Sequence, residues 1–156
     1  MSINTRALPA QILKKVLADR ASLRTALEEH KGQKLKPQDL AYIQNLCFST
    51  LRWYHHLNAI ATMLLAKPFK TKDYDILALL LAGLCQILYL KTPSHAAVAE
   101  TVNATKTLKK PWAAGLLNGC LRRFLRERDA ILERLSNNLE ATFSHPKWLI
   151  EKIKKA

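Results

Sequence analysis

The stretch that decides the fold is ILALLLAGLCQILYL, residues 76–90. It is the longest apolar run in the chain, with only Gly83 and Gln86 as interruptions. A transmembrane helix needs about 20 predominantly apolar residues, so this run is too short to span a bilayer. A helix that is apolar on every side is typical of one enclosed by other helices. We therefore predict a central buried helix and no membrane span.

Before this run, the spacing of apolar residues predicts three further helices. Over residues 8–16 an apolar side chain recurs every four positions and forms one face of the first helix. Ser22 is the expected N-cap of a short second helix that runs to His30, with Gly32 as its stop. A third helix is predicted over 37–67, with Pro37 at its first position and a bend near residues 55–56.

After the run, the helical spacing continues. Asp73 is the expected N-cap of the central helix, and Pro93 begins the next one. That helix is predicted to end at Pro111, a further helix opens at Trp112, and a weaker segment follows over 130–135. Sustained strand-like alternation is absent from the sequence. The fold class predicted is therefore all-α, a bundle of about seven helices.

The charge of the chain narrows the classes of partner. Lys and Arg number 25 against 12 Asp and Glu, which gives a net charge of +13. Such an excess favours a polyanionic partner, either a nucleic acid or an anionic membrane surface. The first eight residues contain no signal-peptide core, so we expect a cytoplasmic protein.

Signatures of catalysis and of cofactor binding are missing from the sequence. The four glycines form no phosphate-binding loop, and no Cys or His cluster has zinc spacing. Cys47, Cys85 and Cys120 are far apart, and apolar residues surround each of them, which predicts reduced and buried thiols. We therefore expect no catalytic residue, metal or cofactor site in this chain.

The basic residues are the candidate binding groups. Arg122 and Arg126 are one turn apart on the polar side of a predicted amphipathic helix, and Arg123 flanks them. The planar guanidinium fork matches two phosphate oxygens at once. Alternatively, these side chains only solubilise the helix or pair with acidic residues of another domain. The residues predicted from the sequence to contact the phosphates of a nucleic acid are Arg6, Lys14, Lys15, Lys109, Lys110, Arg122, Arg123 and Arg126.

The aromatic residues and the adjacent histidines are further candidates for binding groups. Trp53, Tyr54 and Trp112 are able to stack on unpaired bases, but helical spacing beside Leu and Phe favours the core, and we predict the core. His55 and His56 are adjacent, so on a helix they point about 100° apart and cannot share a face as metal ligands.

Four stretches resemble one protein family closely. They are CFSTLRWYHHL (47–57), LAGLCQILYLKTPSHAAVAETVNATK (81–106), NGCLRRFLR (118–126) and HPKWL (145–149). The chain is similar, over nearly its whole length, to the NusB-like N-terminal domain of bacterial small-subunit ribosomal RNA cytosine-C5 methyltransferases, the Sun or Fmu family. This resemblance implies a NusB-like bundle over 1–143 that places ribosomal RNA, and the start of a connecting region over 144–156.

The resemblance also implies a separate methyltransferase domain, absent from this chain, that contacts the helical domain. That domain binds S-adenosylmethionine and uses a cysteine nucleophile. The family's catalytic cysteines follow Pro or Thr, whereas Cys120 follows Gly119, so the role is not transferred.

Three alternatives to this function remain. A free-standing NusB antitermination factor, which binds RNA together with a ribosomal protein, shares the helical core; the RRFLR and HPKWL segments argue against it. A module that docks the catalytic domain without touching RNA is compatible with the same basic residues. A helix-turn-helix DNA-binding protein would need a short turn before a base-reading helix, and none is visible.

Overall fold

A computed structural model of the chain describes residues 4–30 and 35–143, with side chains as far as 137. These residues form helices and 3-10 turns, and no strand occurs among them. This confirms the predicted all-α fold of about seven helices. The helices are α1 (Ala7–Ala18), α2 (Leu23–Glu28), α3 (Pro37–Arg52), α4 (Tyr54–Leu64), α5 (Tyr74–Leu88), α6 (Ser94–Thr107) and α7 (Ala114–Phe143), with 3-10 turns at Thr71–Asp73 and Pro111–Ala113.

Helix α5 is the centre of the bundle, as the apolar run predicts. Twelve of its fifteen residues are buried, and α1, α3, α4, α6 and α7 all pack against it. Gly83 of α5 faces both α6 and α7. A Cβ atom there would lie 3.1 Å from the Thr101 hydroxyl on α6 and 3.3 Å from a Leu121 methyl on α7. The missing side chain therefore lets both helices approach α5 closely.

Ser22, Pro37 and Pro93 mark helix starts as predicted, whereas Asp73 lies at the predicted N-cap position without capping the helix through its side chain. The Ser22 hydroxyl accepts a hydrogen bond from the Thr25 backbone N–H at 3.1 Å, and Pro37 is the first residue of α3. Asp73 precedes α5 but makes no capping hydrogen bond. Its carboxylate instead lies 3.1 Å from the ammonium of Lys110, in the segment that follows α6, and this ion pair engages the group that would cap the helix. Gly32 lies outside the described residues.

Several helix boundaries differ from the predicted ones. Helix α7 begins at Ala114 and not at Trp112, which lies in the preceding 3-10 turn. The third predicted helix is two helices, and the break falls at Trp53, whose φ of −104° and ψ of 18° are not helical. The last two predicted segments are one helix, α7, with a kink at Glu127, where φ is −111° and ψ is 20°. Residues 130–135 therefore continue α7, and Ile131 and Leu135 within them are buried.

Three helices end at a basic residue in the left-handed conformation. Arg20, Lys91 and Lys109 have φ values of 56°, 54° and 60° after α1, α5 and α6. In each case the next residue's N–H donates back to a carbonyl of the helix, which caps its end: Ala21 to Lys15, Thr92 to Gln86 and Lys110 to Thr105. A residue with a Cβ atom loses roughly 1–2 kcal/mol in this conformation. The positive charge partly offsets that loss, since it lies at the negative end of the helix dipole.

We expect Lys109→Gly to stabilise the fold by about 0.5–1 kcal/mol, because glycine adopts the left-handed conformation without strain. Urea denaturation measures the change. The matched control is Lys106→Gly in the last turn of α6, where glycine should destabilise the helix by up to about 1 kcal/mol. Destabilisation by both substitutions would show that Lys109 is not strained.

Candidate nucleic-acid interface

The surface of interest is formed by α6 and α7. The buried side of α7 carries Leu117, Leu121 and Phe124, whereas Arg122 and Arg126 are exposed to solvent. The amphipathic pattern expected from the sequence is therefore present. A groove of about 450 Å³ runs between the two helices beside Arg122. We call it the α6–α7 groove; it is lined by Ser94, His95, Val98, Ala99, Val102, Asn103, Asn118, Arg122 and Leu125.

The guanidinium of Arg122 is oriented but not neutralised. Its Nε donates to the Asn118 side-chain oxygen at 3.0 Å, one helical turn away. Neither Arg122 nor Arg126 forms an ion pair within the described part of the chain. The terminal amino groups of Arg122 therefore remain able to bind a phosphate. Sequence reasoning missed His95, Asn103 and Asn118; the four-residue spacing of Asn118 and Arg122 was the available signal for one of them.

Arg123 has a different environment. Its Nε lies 3.0 Å from the Glu127 carboxylate, and one of its amino groups donates to the Met63 carbonyl at the end of α4 at 3.4 Å. The side chain therefore links α7 to α4, and part of its charge is compensated locally.

Lys110 lies among carboxylates. Its ammonium is 2.8 Å from Asp75 and 3.1 Å from Asp73, and it also donates to the Lys72 carbonyl at 2.8 Å. Partial burial by itself lowers the pKa of Lys110, but the hydrogen bonds and charges of Asp75 and Asp73 outweigh it and raise the pKa. Lys110 therefore joins the start of α5 to the end of α6, while the neighbouring Lys109 is exposed.

The basic residues of α1 are also divided. Arg6 is ion-paired with Glu100 of α6 at 2.5 Å, and its guanidinium lies 4.6 Å from the centre of the Tyr42 ring. Lys15 is ion-paired with Glu29. Lys14 is half-buried and has no ion pair within the described ranges. Of the eight predicted RNA contacts, only Lys14, Lys109, Arg122 and Arg126 are thus without a carboxylate partner among the residues described.

The tryptophans are more exposed than the sequence pattern predicts. Trp53 is 38% exposed and Trp112 57% exposed, so the prediction that they belong to the core is wrong for both. The reason is their position: Trp53 interrupts the helical chain between α3 and α4, and Trp112 lies in the 3-10 turn before α7. Tyr54, at the start of α4, is half-buried.

The histidines are separated in the way expected for adjacent helical residues. His55 is exposed, while the Nδ1 atom of His56 lies 2.5 Å from the Tyr89 hydroxyl. Burial lowers the pKa of His56, which favours the neutral imidazole. Among the described residues no group of three metal-binding side chains occurs.

All three cysteines are buried, which confirms the prediction. Burial raises the pKa of Cys47 to about 12 and that of Cys85 to about 11. It also raises the pKa of Cys120, although the nearby Arg123 charge opposes the shift. These thiols are therefore protonated at neutral pH and poorly suited to nucleophilic attack. None of the helices in the described residues combines the length and the hydrophobicity that a membrane span requires.

The sequence between residues 3 and 126 matches the model of the NusB family. The chain belongs to the NusB family. The fold of the chain agrees with this assignment. It superimposes with a TM-score of 0.66 on one chain of a crystal structure of the antitermination factors NusB and NusE in complex with double-stranded RNA. The two share 16% sequence identity, and the match covers 79% of this chain and 94% of the other. At this identity the likeness concerns the fold alone.

Several curated relatives are much more similar in sequence. A probable ribosomal RNA small subunit methyltransferase B from Coxiella burnetii is 45% identical over 99% of this chain. Ribosomal RNA small subunit methyltransferase B from Pseudomonas syringae is 43% identical, and that from Proteus mirabilis 41%. The chain covers 34% of the first two relatives and 36% of the third. It is therefore a NusB-like domain that corresponds to the N-terminal part of these methyltransferases, about a third of their length.

Proposed function

We propose that this NusB-like domain binds small-subunit ribosomal RNA and positions it for a ribosomal RNA cytosine-C5 methyltransferase. The observation that carries the proposal is its 45% identity, over nearly its full length, to a probable methyltransferase of this RNA. Residues 1–143 are the proposed RNA-binding domain, and 144–156, outside the described residues, the proposed connection to the catalytic domain. Because ribosomal RNA is the ligand, the proposed location is the cytoplasm.

The methyl-transfer chemistry is assigned to the other part of the relatives. S-adenosylmethionine, when bound there, supplies the methyl group. The cysteines of this chain do not fit the role of the attacking nucleophile, because they are buried thiols with raised pKa values. What this chain contributes is binding and orientation of the RNA.

The proposed mechanism of binding is electrostatic. Arg122 and Arg126 are exposed, lie one turn apart and retain charges that no described carboxylate compensates. Phosphates that approach them release condensed counterions, so affinity should fall as salt rises. The side chains of Asn103, Asn118 and His95 in the α6–α7 groove add donors and acceptors that suit phosphates and 2′-hydroxyls. Folded RNA is recognised largely through such contacts and through shape.

We expect the double substitution Arg122→Ala and Arg126→Ala to weaken RNA binding and flatten its salt dependence. Each lost phosphate contact removes roughly 0.7–0.9 from the slope of log affinity against log salt, so the slope should fall by roughly 1.5. The measurement is fluorescence anisotropy with a small-subunit ribosomal RNA hairpin and an unrelated hairpin at several salt concentrations. A preference for the ribosomal hairpin would add recognition by this domain itself.

The matched control removes the same charge elsewhere. Lys67 and Lys70 are exposed residues of the segment between α4 and α5, and their double substitution by alanine should change the slope much less. Equal slopes for both double variants, with the fold intact, would contradict a specific role for the arginines. Absence of binding by the unmodified chain at low salt would contradict the proposed function.

A second candidate function is docking on the methyltransferase domain, and one observation favours it. Trp112 and Leu116 are 57% and 39% exposed, and they line one cleft together with Phe69 and Pro68. Exposed apolar side chains grouped in this way are typical of interaction sites. We propose this patch, at the start of α7, as the contact with the catalytic domain. It leaves Arg122 and Arg126, further along α7, for the RNA.

A further inference from the structure

An exposed aromatic stack lies where α3, α4 and α5 meet. The ring of Trp53 packs against the ring of Tyr89 with centroids 4.5 Å apart and an angle of 5° between their planes. The Tyr89 hydroxyl is hydrogen-bonded to His56 at 2.5 Å, and the His56 ring also meets Tyr89 edge-on. Trp53 is therefore held in one orientation while 38% of it remains in contact with solvent.

One cation lies over the ring of Trp53, and a second follows Tyr89 closely in the chain. The Arg52 guanidinium lies 5.4 Å from the centre of the Trp53 ring, within the range of a cation–π contact. Lys91 follows Tyr89 by two residues, and its φ of 54° places it in the left-handed region that glycine would adopt more easily. Both side chains are exposed, and neither is ion-paired with a carboxylate in the described segments. The stack thus combines a fixed aromatic ring with positive charge.

The stack is connected to the α6–α7 groove through a short piece of chain. Tyr89 is part of the stack, and Ser94 and His95 line the groove beside Arg122. Ser94 is five positions after Tyr89, and an extended chain of that length spans at most about 18 Å. A single RNA molecule can therefore contact both places.

We propose that Trp53 is a stacking site for an unpaired nucleobase of the bound RNA: the base takes the place of the Arg52 guanidinium over the ring, and Arg52 and Lys91 then contact the neighbouring phosphates. This inference rests on the proposed function and adds the kind of RNA structure that is recognised. Every base has a π-face, so stacking on an aromatic ring tolerates any sequence, and cations beside it bind the backbone. An apolar protein segment fits this place less well than RNA does, because it could not neutralise the positive charges of Arg52 and Lys91.

The test compares two RNA hairpins of equal nucleotide number, one with a single-stranded tail and one fully paired with a blunt end. The unmodified chain should bind the tailed hairpin more tightly. Trp53→Ala should weaken binding of the tailed hairpin by about 5- to 100-fold and leave binding of the blunt hairpin unchanged. Trp53→Tyr, which keeps a ring, should retain most of the preference. Phe48→Ala, which removes an exposed aromatic ring from α3, is the matched control and should keep it fully.

A second measurement does not depend on the Trp53→Ala variant folding. With Trp112→Phe and Trp148→Phe, Trp53 is the one remaining tryptophan of the three in the sequence. The tailed RNA should then quench its fluorescence and the blunt RNA should not. If the chain binds RNA but shows no preference for the tail and no quenching, the stacking proposal is wrong while the proposed function stands. If neither RNA binds, the proposed function itself is wrong.

Discussion

Phe124→Ala should lower the free energy of unfolding by about 3–5 kcal/mol, among the largest effects expected of any single substitution in this domain. Among the described residues, Phe124 is the largest of the fully buried side chains, and it lies on the side of α7 that faces the core. The smaller side chain would leave a cavity there, because neighbouring helices relax only partly around the vacated volume. The measurement is urea denaturation followed by circular dichroism.

The matched control for this prediction is Phe48→Ala. Phe48 is 58% exposed on α3, so the same chemical change should alter the free energy of unfolding by no more than about 0.5 kcal/mol. A similar effect at both positions would contradict the packing of α7 described above.

Lys110→Met should lower the free energy of unfolding by about 3 kcal/mol. Methionine fills a similar volume but removes the charge, which leaves the carboxylates of Asp73 and Asp75 without their cation. Asp75 is the more sensitive of the two, since its side chain is 9% exposed. A charge that has lost its partner in such surroundings is costly, much more so than one at the surface.

The pH dependence of this effect follows from the raised pKa of Lys110. A group whose pKa is higher in the folded state than in the unfolded state stabilises the fold fully below the unfolded value, about 10.4 for lysine. That stabilisation disappears as the pH rises through the folded value. The difference between the unmodified chain and Lys110→Met should therefore be constant near neutral pH and shrink above about pH 10.4.

A second substitution identifies the cause. Adding Asp75→Asn to Lys110→Met removes the unpaired buried charge and should recover part of the lost stability. The surface control is Arg24→Ala, since Arg24 is 90% exposed and its pairing with Glu28 has a distance of 3.7 Å; a change below about 1 kcal/mol is expected. Equal losses for Lys110→Met and Arg24→Ala would contradict a structural role for the Lys110 pairs.

The sequence by itself determined the fold class and much of its layout. The apolar run over 76–90 predicts the enclosed helix, because no water-facing side is available along it. Ser22 and Pro37 mark helix starts correctly, since both act through neighbours only a few residues away in the chain. The amphipathic pattern around Arg122 and Arg126 is likewise a property of one helix. Such local features are readable without knowing what packs against them.

Only the tertiary structure decided which charged and aromatic residues are accessible. Arg6 is ion-paired with Glu100, 94 positions away in the chain. Lys110 is ion-paired with Asp73 and Asp75, which are at least 35 positions away. Trp53 lies at a helix break, where it stacks on Tyr89, 36 positions away, and it remains partly exposed. Periodicity along a helix specifies the face on which a side chain lies, but not the distant residue opposite that face. Pairing and burial depend on that residue, and it is fixed only when the helices pack.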